Sequence, residues 1–444
     1  MALAAATEAA CGALLTQLSV DSRLPGVVAA AFAPAGIAWE GRRGDTFGQY
    51  RIGSLTKTFT AVAVLQLREL GRVDLADAIA DHVADSPYPR MTLRELLAHS
   101  SGMTAEPAGP WWERSPGVGW DHLKHANHTQ VEIFRRGQRY HYSNLGFALL
   151  GELVARQRNM SWYDAVRLHV LAPLGLDQTT YHPSADAANG TSRDPRTTRL
   201  VGEPAFDSLA MAPAGQLWST PADLARWGSF LVCGDDAVLP KDVLVEMRTA
   251  QSADPDVQHL GAYGLGVRLR WRPHGTLVGH TGSMPGFLAA MFVDSTSGVG
   301  SVVLTNATTG LAPETAAARL VDLVEPEIVA AEAGRTRETE AQGSPAVELA
   351  GEWYWGNTSL QIQPAEAGFT LSAGAEERTF RHLGDDAYLG LDGYYAGERL
   401  QVVRRSDGAI SHLEVVTFVL TRIPYDPAAP IPGGPPGDPL SWLG

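Results

Sequence analysis

The stretch "RIGSLTKTFTAVAVLQL", residues 51–67, contains Lys57, the only lysine among the first hundred residues and one of three in the chain. The pattern predicts a helix that begins at or near Ser54, keeps apolar residues along its length and ends at Gly71. Side chains three apart on a helix are neighbours, so the Lys57 amine is expected beside the Ser54 hydroxyl. A serine becomes a nucleophile when a base removes its proton, and a lysine with a lowered pKa can be that base, whereas arginine cannot.

The Ser-x-x-Lys tetrad is a weak signal by itself, because about one is expected by chance in an average chain of this length. Here it occurs once, lysine is scarce, a predicted strand precedes it and an apolar run follows it. A serine at a helix N-terminus also faces the positive end of the helix dipole, which stabilises a developing oxyanion. These features favour a chemical role for the pair.

Two further motifs follow in the sequence. "YHYSNLGFALLG" (140–151) places Tyr142 and Asn144 before an apolar helix, and "VGHTGSMPGF" (278–287) places a His-Thr-Gly tripeptide, beginning at His280, at the end of a strand. In this order the three motifs resemble the serine β-lactamase and penicillin-binding-protein superfamily, whose pattern is Ser-x-x-Lys, Ser/Tyr-x-Asn and Lys/His-Thr-Gly. The tyrosine in the second motif points to the class C branch.

The resemblance covers about residues 20–325. It extends to three other stretches: "MTLRELLAHSSGM" (91–103), "PAGQLWSTPADLARW" (213–227) and "YGLGV" (263–267). It implies that Ser54 is acylated and that Lys57 and Tyr142 share the proton transfers. Asn144 would hydrogen-bond Lys57 or the substrate amide, and the oxyanion hole would combine the Ser54 backbone N–H with one from residues 282–283.

The third motif supplies the strand expected to lie along the substrate: His280, Thr281, Gly282 and Ser283. The resemblance implies that His280 lies on the strand edge and faces Tyr142. Considered alone, Tyr142 indicates core packing and His280 an ordinary strand histidine. Only the three motifs together give them a role in chemistry.

His280 stands where class C β-lactamases and cell-wall carboxypeptidases usually have lysine, and an unperturbed histidine is mostly neutral near pH 7. This weakens the case for penicillin or a free D-alanine terminus as substrate. His-Thr-Gly is typical of carboxylesterases, D-amino-acid peptidases and the penicillin-binding-protein-type thioesterases that release and cyclise nonribosomal peptides. We expect the thioesterase, narrowly ahead of a cytoplasmic carboxylesterase or D-amino-acid-specific peptidase; a non-catalytic ligand sensor is a further alternative.

The expected partner is a small-molecule or peptidyl acyl substrate, free or delivered by a carrier protein. "GPWWERSPGVGW" (109–120) contains Trp111, Trp112 and Arg114, which either line an acyl pocket or belong to a loop packed on the helical block. The sequence has no cluster with metal-ligand spacing and no glycine-rich phosphate loop, so neither a metal nor a cofactor is expected.

Strands are predicted within residues 26–41 and 260–306, a helical block occupies about 75–245, and a helix follows at 312–324. Because strands open and close this region, we expect an α/β (α+β) fold. In it, an antiparallel sheet flanked by helices carries an inserted all-helical subdomain, and the first and last segments are adjacent.

The predicted catalytic domain spans residues 1–329. Residues 330–348 are small, charged and poorly periodic, which indicates a linker. Short alternating runs separated by turn residues in 349–424 predict a small all-β domain or barrel. The resemblance to the penicillin-binding-protein-type thioesterases implies that this domain is lipocalin-like. The Pro/Gly-rich tail 425–444 is expected to be extended or partly disordered.

The formal net charge of −14 argues against a nucleic-acid partner and gives no attraction to an anionic membrane surface. The apolar N-terminal stretch lacks a basic region and is interrupted by Glu8, so we predict an amphipathic helix rather than a signal peptide. No run is long enough to span a membrane, and a cytoplasmic location is expected. Cys11 and Cys233 are expected to be buried thiols.

Overall fold

The computed structural model describes residues 3–424 apart from positions 130, 195, 198, 257, 309, 341–345, 366 and 375, and only the backbone of 332–340. The chain divides into two compact units, Met1–Val329 and Ala330–Gly444. The predicted tail at 425–444 and part of the predicted linker lie outside the described residues.

The helices are named here in chain order. They are α1 Ala5–Asp21, α2 Thr56–Glu69, α3 Leu93–Leu97, α4 Trp120–Ala126, α5 Asn144–Arg158, α6 Trp162–Val166, α7 Ala212–Gly215, α8 Pro221–Cys233, α9 Lys241–Met247 and α10 Pro313–Glu340. The strands of the first unit are β1 Gly26–Ala33, β2 Gly36–Gly44, β3 Tyr50–Arg51, β4 Thr191–Arg193, β5 Leu200–Gly202, β6 Trp218–Ser219, β7 Gly261–Tyr263, β8 Arg268–Arg272, β9 Gly275–Met284, β10 Phe287–Asp294 and β11 Gly300–Thr305.

The first unit is built on a seven-stranded sheet with the order β2-β1-β11-β10-β9-β8-β7. Every neighbouring pair is antiparallel, and β1 pairs with β11, with Val27 opposite Thr305. Helices α3 to α9 are inserted between β3 and β7. The predicted α/β (α+β) fold, with its first and last strands adjacent and a helical block between them, is therefore confirmed.

Helices cover both faces of the sheet, which is why all eight residues of β1 are buried. Alternate side chains of a strand point to opposite faces. Val28 and Phe32 contribute to the core shared with α2 and α8. Ala29 and Ala31 contribute to a second core that includes the apolar face of α1 and α10. The first helix predicted from the sequence is present, and Cys11, Leu14 and Leu15 form its buried side.

Helix α2 is the central helix of the first unit, and each of its residues from Thr56 to Leu67 is buried. It follows a single 3-10 turn, Gly53–Leu55, that contains Ser54. Gly53 has a φ of +52°, and a Cβ on it would lie 2.7 Å from the backbone nitrogen of Ser283. Glycine at this position therefore lets the turn carrying Ser54 lie directly against strand β9.

Two expectations are corrected. The predicted helix at 312–324 continues through Pro326 to Glu340, so residues 330–340 are helical and not an irregular linker. Their Ala, Glu and Arg residues have high helix propensity, which sets the backbone even where apolar periodicity is lost. Cys11 is buried as expected, but Cys233, the last residue of α8, is exposed.

The second unit is an all-β meander with its strands in sequence order. Its strands are β12 Gly351–Trp355, β13 Thr358–Ala365, β14 Gly368–Ala373, β15 Glu376–Gly384, β16 Ala387–Gly390, β17 Arg399–Arg404, β18 Ile410–Val415 and β19 Phe418–Leu420. The two ends meet where Tyr354 and Thr421 exchange backbone hydrogen bonds of 2.7 and 2.9 Å. Apolar side chains, among them Trp353 and Phe369, fill the interior of this nearly closed barrel, so the predicted barrel-like domain is confirmed.

Within the described part of the chain, no helix combines the length and the apolar character that crossing a membrane requires.

Candidate active site

Lys57 lies at the centre of a buried polar cluster. Its Nζ is 3.0 Å from Ser54 Oγ, 2.7 Å from Asn144 Oδ1 and 2.7 Å from the carbonyl oxygen of Ala214. The Asn144 and Ala214 oxygens can only accept hydrogen bonds. A neutral amine gives its two hydrogens to them, and its lone pair then faces the Ser54 hydroxyl. The predicted Ser54–Lys57 contact is therefore present, in a geometry that suits proton removal from the serine.

The environment of Lys57 favours this neutral form. Its side chain is completely buried, and burial lowers the pKa of the amine to about 7. The negative charges of Glu106 and Glu113 oppose this decrease. A large share of the amine is therefore unprotonated near neutral pH, as a general base requires.

Tyr142 borders the same serine. Both residues line the same cleft, and Lys57 Nζ is 4.9 Å from the centre of the Tyr142 ring. Burial raises the pKa of Tyr142 well above its ordinary value, although the nearby Ser54 side chain acts in the opposite direction. The phenol therefore keeps its proton at neutral pH and is suited to donate it.

A chain of hydrogen bonds fixes the orientation of the Asn144 amide. Asn144 Nδ2 donates to Glu106 Oε1 at 2.7 Å, and Trp112 Nε1 donates to Glu106 Oε2 at 2.8 Å. With Nδ2 engaged by Glu106, Oδ1 is left to accept from Lys57. Of the two alternatives for Asn144, the contact with Lys57 is present in the structure.

Strand β9 runs along the other side of Ser54. A Cβ on Gly282 would lie 1.8 Å from the carbonyl oxygen of Ile52 and 3.2 Å from the backbone nitrogen of Ser54. Only glycine permits this approach, and Ser54 and Ser283 both line the cleft, so their backbone N–H groups are the candidates for an oxyanion hole. Two converging N–H groups are what an oxyanion hole needs.

His280 is buried at the start of this strand segment. The hydroxyl of Tyr263 lies 3.0 Å from its Nε2, and its Nδ1 bonds to the carbonyl oxygen of Thr281. A hydrogen on Nδ1 satisfies both contacts, with Nε2 accepting from Tyr263. Burial lowers the pKa of His280 to about 3, so it is neutral at physiological pH. Its ring centre is 6.2 Å from that of Tyr142, and its hydrogen-bond partner is Tyr263 instead.

The cleft at Ser54 has a volume of about 310 Å³. Its lining residues are Ser54, Tyr140, Tyr142, Tyr263, Arg268, His280, Thr281, Gly282, Ser283, Leu288 and Pro313. The third-motif residues predicted to lie along the substrate are thus gathered at one cleft with Ser54 and Tyr142, and Lys57 and Asn144 lie beneath it.

Trp111, Trp112 and Arg114 are not in this lining. Trp112 is buried and donates to Glu106, whereas Trp111 is 61% exposed. The Arg114 guanidinium lies 4.8 Å from the Trp111 ring and forms two bonds of 2.5 and 2.6 Å with Glu203. Their role in an acyl pocket stays a prediction, and Trp112 acts on the site through Glu106 instead.

Several site residues were not singled out from the sequence: His99, Glu106, Tyr140, Ala214, Tyr263 and Arg268. Most of them lie in stretches that carried the resemblance, such as "MTLRELLAHSSGM", "PAGQLW" and "YGLGV". Sequence spacing alone could not reveal that these stretches converge on Lys57. Among the residues that the structure describes, no three His, Cys, Asp or Glu side chains lie close enough to hold a metal ion.

Comparisons with known proteins agree with this geometry. Protein flp of Staphylococcus aureus (strain NCTC 8325 / PS 47) is 25% identical over 277 residues, which cover 60% of this chain and 54% of flp. The chain thus spans about half the length of the curated relatives it matches. A D-stereospecific amidohydrolase from Streptomyces sp. is 25% identical, with a TM-score of 0.61 over 72% of this chain and 98% of its own.

The structure of SurE matches nearly the whole fold, covering 94% of this chain and 99% of its own at 22% identity and a TM-score of 0.59. Residues 343–422 match a domain of unknown function, DUF7586. Residues 12–326, well over half of the chain, match the Beta-lactamase family. The three motifs, the antiparallel sheet with its inserted helices and this match lead to one conclusion: the chain belongs to the Beta-lactamase family.

Proposed function

We propose that this chain is a serine acyl-transfer enzyme that forms an acyl-enzyme on Ser54. The observation that carries the proposal is the position of Lys57: its amine has a pKa of about 7 and lies 3.0 Å from Ser54 Oγ. Its two other contacts are acceptors, which directs the lone pair at the serine. A buried lysine with a lowered pKa beside a hydroxyl is the arrangement that activates a serine nucleophile.

The proposed reaction has two stages. Lys57 Nζ takes the Ser54 proton as Oγ attacks the acyl carbonyl carbon, and the N–H groups of Ser54 and Ser283 stabilise the oxyanion. Tyr142 then gives its proton to the departing ester, thioester or amide group and recovers one from Lys57. In the second stage water or an amine loses a proton to the same groups and attacks the Ser54 ester, which releases the product and restores the free hydroxyl.

The cleft supports a donor longer than a simple ester. Tyr140, Tyr263 and Arg268 line both the Ser54 cleft and a second hollow of about 380 Å³, which extends to Trp271 and Glu314. Ligand sites are typically about 300–1,000 Å³, so either hollow is large enough to hold part of a peptide. We therefore propose a peptidyl donor that lies along both hollows.

The specific form we propose is a penicillin-binding-protein-type thioesterase that releases and macrocyclises a nonribosomal peptide delivered by a carrier protein. In this reaction the attacking amine belongs to the acyl chain itself. Well-oriented intramolecular attack reaches effective molarities on the order of 10⁵ M or more, enough to compete with water. The neutral His280 supports this choice, since a fixed cation for a substrate carboxylate is absent at that position.

A second candidate is D-stereospecific amide hydrolysis, with simple ester hydrolysis as its variant. The observation that favours it is the 25% identity to a Streptomyces protein described as a D-stereospecific amidohydrolase, of which 98% is covered. Both candidates use the same acyl-enzyme, so they differ in acyl donor and acceptor rather than in the Ser54 chemistry.

The acyl-enzyme is tested by intact-mass measurement after treatment with a fluorophosphonate and with an activated ester. The wild-type chain is expected to gain one adduct on Ser54, and the ester adduct is expected to turn over. Ser54→Ala should lose labelling while keeping its circular dichroism spectrum, and Ser229→Ala, a serine on α8 away from the cleft, should label normally. Labelling that persists in Ser54→Ala and maps to another serine would disprove the assignment.

The acceptor is tested with a panel of peptidyl thioesters that vary in length, in the chirality of the terminal residues and in acetylation of the N-terminal amine. Mainly cyclic amide from a long donor with a free amine would support macrocyclisation. Linear acid throughout, with D-residue amides turned over fastest, would support the amidase. Linear acid with short simple esters fastest would support an esterase.

A further inference from the structure

His99 follows the end of α3 in an unusual backbone conformation. Its φ is +52°, in the left-handed region that favours glycine and, to a lesser degree, asparagine. Helices often end with a residue in this conformation, and that residue is usually glycine because it has no Cβ. A histidine in this conformation costs free energy relative to glycine. Its presence here therefore indicates that the side chain has a role that glycine cannot fill.

His99 accepts hydrogen bonds from the two residues on either side of Tyr142. The backbone N–H of His141 donates to the His99 carbonyl oxygen at 2.7 Å, and the N–H of Ser143 donates to His99 Nδ1 at 3.1 Å. The residue between these two donors is Tyr142. The rings of His99 and Tyr142 also pack together, with their centres 4.2 Å apart. His99 thus holds the backbone on both sides of Tyr142 and one face of its ring.

The hydrogen bond to Ser143 requires a neutral imidazole with its hydrogen on Nε2, because Nδ1 must accept. His99 is completely buried, and burial, together with repulsion from the protonated form of Lys57, keeps its pKa well below the ordinary value. Nε2 has no hydrogen-bond partner among the residues that the structure describes. Nδ1 is therefore the nitrogen that performs the task.

We propose that His99 is a positioning residue that fixes the Tyr142 hydroxyl over Ser54 through the Nδ1 bond to the Ser143 amide. This inference rests on the proposed acyl-transfer function. Without the bond, the segment 141–143 keeps only one of its two attachments to residue 99, and the Ser143 N–H is left buried without a partner. A shift of about 1 Å in a reacting group can cost on the order of a hundredfold in rate.

Two substitutions separate the hydrogen bond from ring packing. His99→Asn keeps an acceptor, since Asn Oδ1 and His Nδ1 are both bonded to Cγ, and asparagine tolerates a left-handed backbone. His99→Phe keeps an aromatic ring against Tyr142 but has no acceptor. Val154→Ala is the control: it truncates a buried residue of α5, the helix that begins at Asn144, without touching Tyr142.

The measurement is the rate of Ser54 labelling by a fluorophosphonate over a range of probe concentrations, normalised to the folded fraction from circular dichroism. His99→Phe is expected to lower the limiting rate about 10- to 100-fold with an unchanged half-saturating concentration. His99→Asn is expected to stay within about fivefold of wild type, and Val154→Ala to label like wild type.

Wild-type labelling in His99→Phe would overturn the proposal. So would equal losses in His99→Phe and His99→Asn that follow their losses of thermal stability, because packing alone would then account for them. Both outcomes differ from failure of the proposed function, in which the wild-type chain itself does not become labelled at Ser54.

Discussion

The interiors of the two units differ in what they bury. The barrel interior is made of apolar side chains such as Trp353, Phe369 and Leu413, and its buried His412 finds a polar partner for each ring nitrogen. The interior around Ser54 holds Lys57, for which no carboxylate of the described residues lies within salt-bridge distance, and two histidines, His99 and His280, whose pKa values are lowered by burial. The first arrangement serves stability, whereas the second leaves the Lys57 amine able to exchange a proton near neutral pH.

Two buried basic residues near Ser54 show the same difference between a stabilising role and a reactive one. Arg51 and Lys57 each lie three residues from Ser54, and both are buried. Burial lowers the pKa of Arg51 only to about 10, so it stays charged and donates to Gln216, Ser208 and a backbone carbonyl. Lys57, with a pKa of about 7, can lose its proton. The chain therefore uses arginine where a lasting charge anchors the turn and lysine where a proton moves.

The largest expected effect tests this distinction. Lys57→Arg should reduce Ser54 acylation about 10³-fold or more, nearly as much as Lys57→Ala, because arginine cannot accept a proton. Stopped-flow acylation by an activated ester measures the rate, and near-ultraviolet circular dichroism checks the fold. Arg51→Lys is the companion variant and should keep most of the activity. Substantial acylation by Lys57→Arg would mean that Lys57 acts only as a positive charge.

The next effect concerns the proton donor. Tyr142→Phe should lower acylation by esters or amides with poor leaving groups about 10²- to 10³-fold, since the phenol supplies their proton. Because burial keeps the Tyr142 phenol protonated, activated esters, which leave without protonation, should lose much less. The ratio of the two losses is the readout. Equal losses for both classes of leaving group would show that Tyr142 acts on the serine proton instead.

A smaller effect, about tenfold per pH unit, is expected on the acid side of the pH–rate profile. Acylation needs neutral Lys57, so the rate should rise with pH and level off above about 7. His280, with a pKa of about 3, is already neutral across this range and should not contribute. His280→Asn should therefore leave the acid midpoint in place even if it changes the limiting rate. A midpoint that moves in this variant would assign the titration to His280.

The sequence was informative where the chemistry is local. The contact between Ser54 and Lys57 follows from helical spacing, the order of the three motifs indicated the family, and the strand patterns at the two ends of the catalytic region predicted the sheet. Contacts that depend on tertiary structure were not predictable: the Lys57 acceptor at Ala214 is 157 residues away, and Glu106 reaches Asn144 across 38 residues. No spacing rule connects such positions, although Ala214 and Asn144 lie in stretches of sequence that carried the family resemblance.

Two other differences have physical causes as well. The helix was predicted to end at Val324, but Ile328 continues the buried apolar spacing beyond Pro326. The Ala, Glu and Arg residues that follow have high helix propensity, and α10 extends to Glu340. His280 was expected to face Tyr142, and their ring centres lie 6.2 Å apart, but the ring nitrogens of His280 bond to Tyr263 and to a backbone carbonyl. A strand position predicts which face a side chain points to, but not which of several tyrosines on that face it contacts.

The smallest expected effect on acylation comes from the barrel. Trp353 is completely buried, donates to the Leu349 carbonyl oxygen at 2.7 Å and packs against the Arg422 guanidinium at 4.0 Å. Trp353→Ala should therefore cost about 3–5 kcal/mol of the unfolding free energy of the barrel. The matched control is Trp355→Ala on the same strand, where the side chain is 50% exposed and the cost should be small.

Neither tryptophan variant should change Ser54 labelling by a small activated ester by more than about twofold at a temperature where the barrel is folded. All the groups proposed to act in that reaction belong to the first unit, so the barrel has no proton or oxyanion contact to lose. Chemical denaturation measures the stability change, and labelling rates are compared on the same samples. If labelling instead fell in proportion to barrel stability, the barrel would take part in building the site, and the contrast between a stabilising interior and a reactive one would fail. A loss confined to long peptidyl thioesters would place the barrel in substrate recognition and leave the Ser54 chemistry within the first unit.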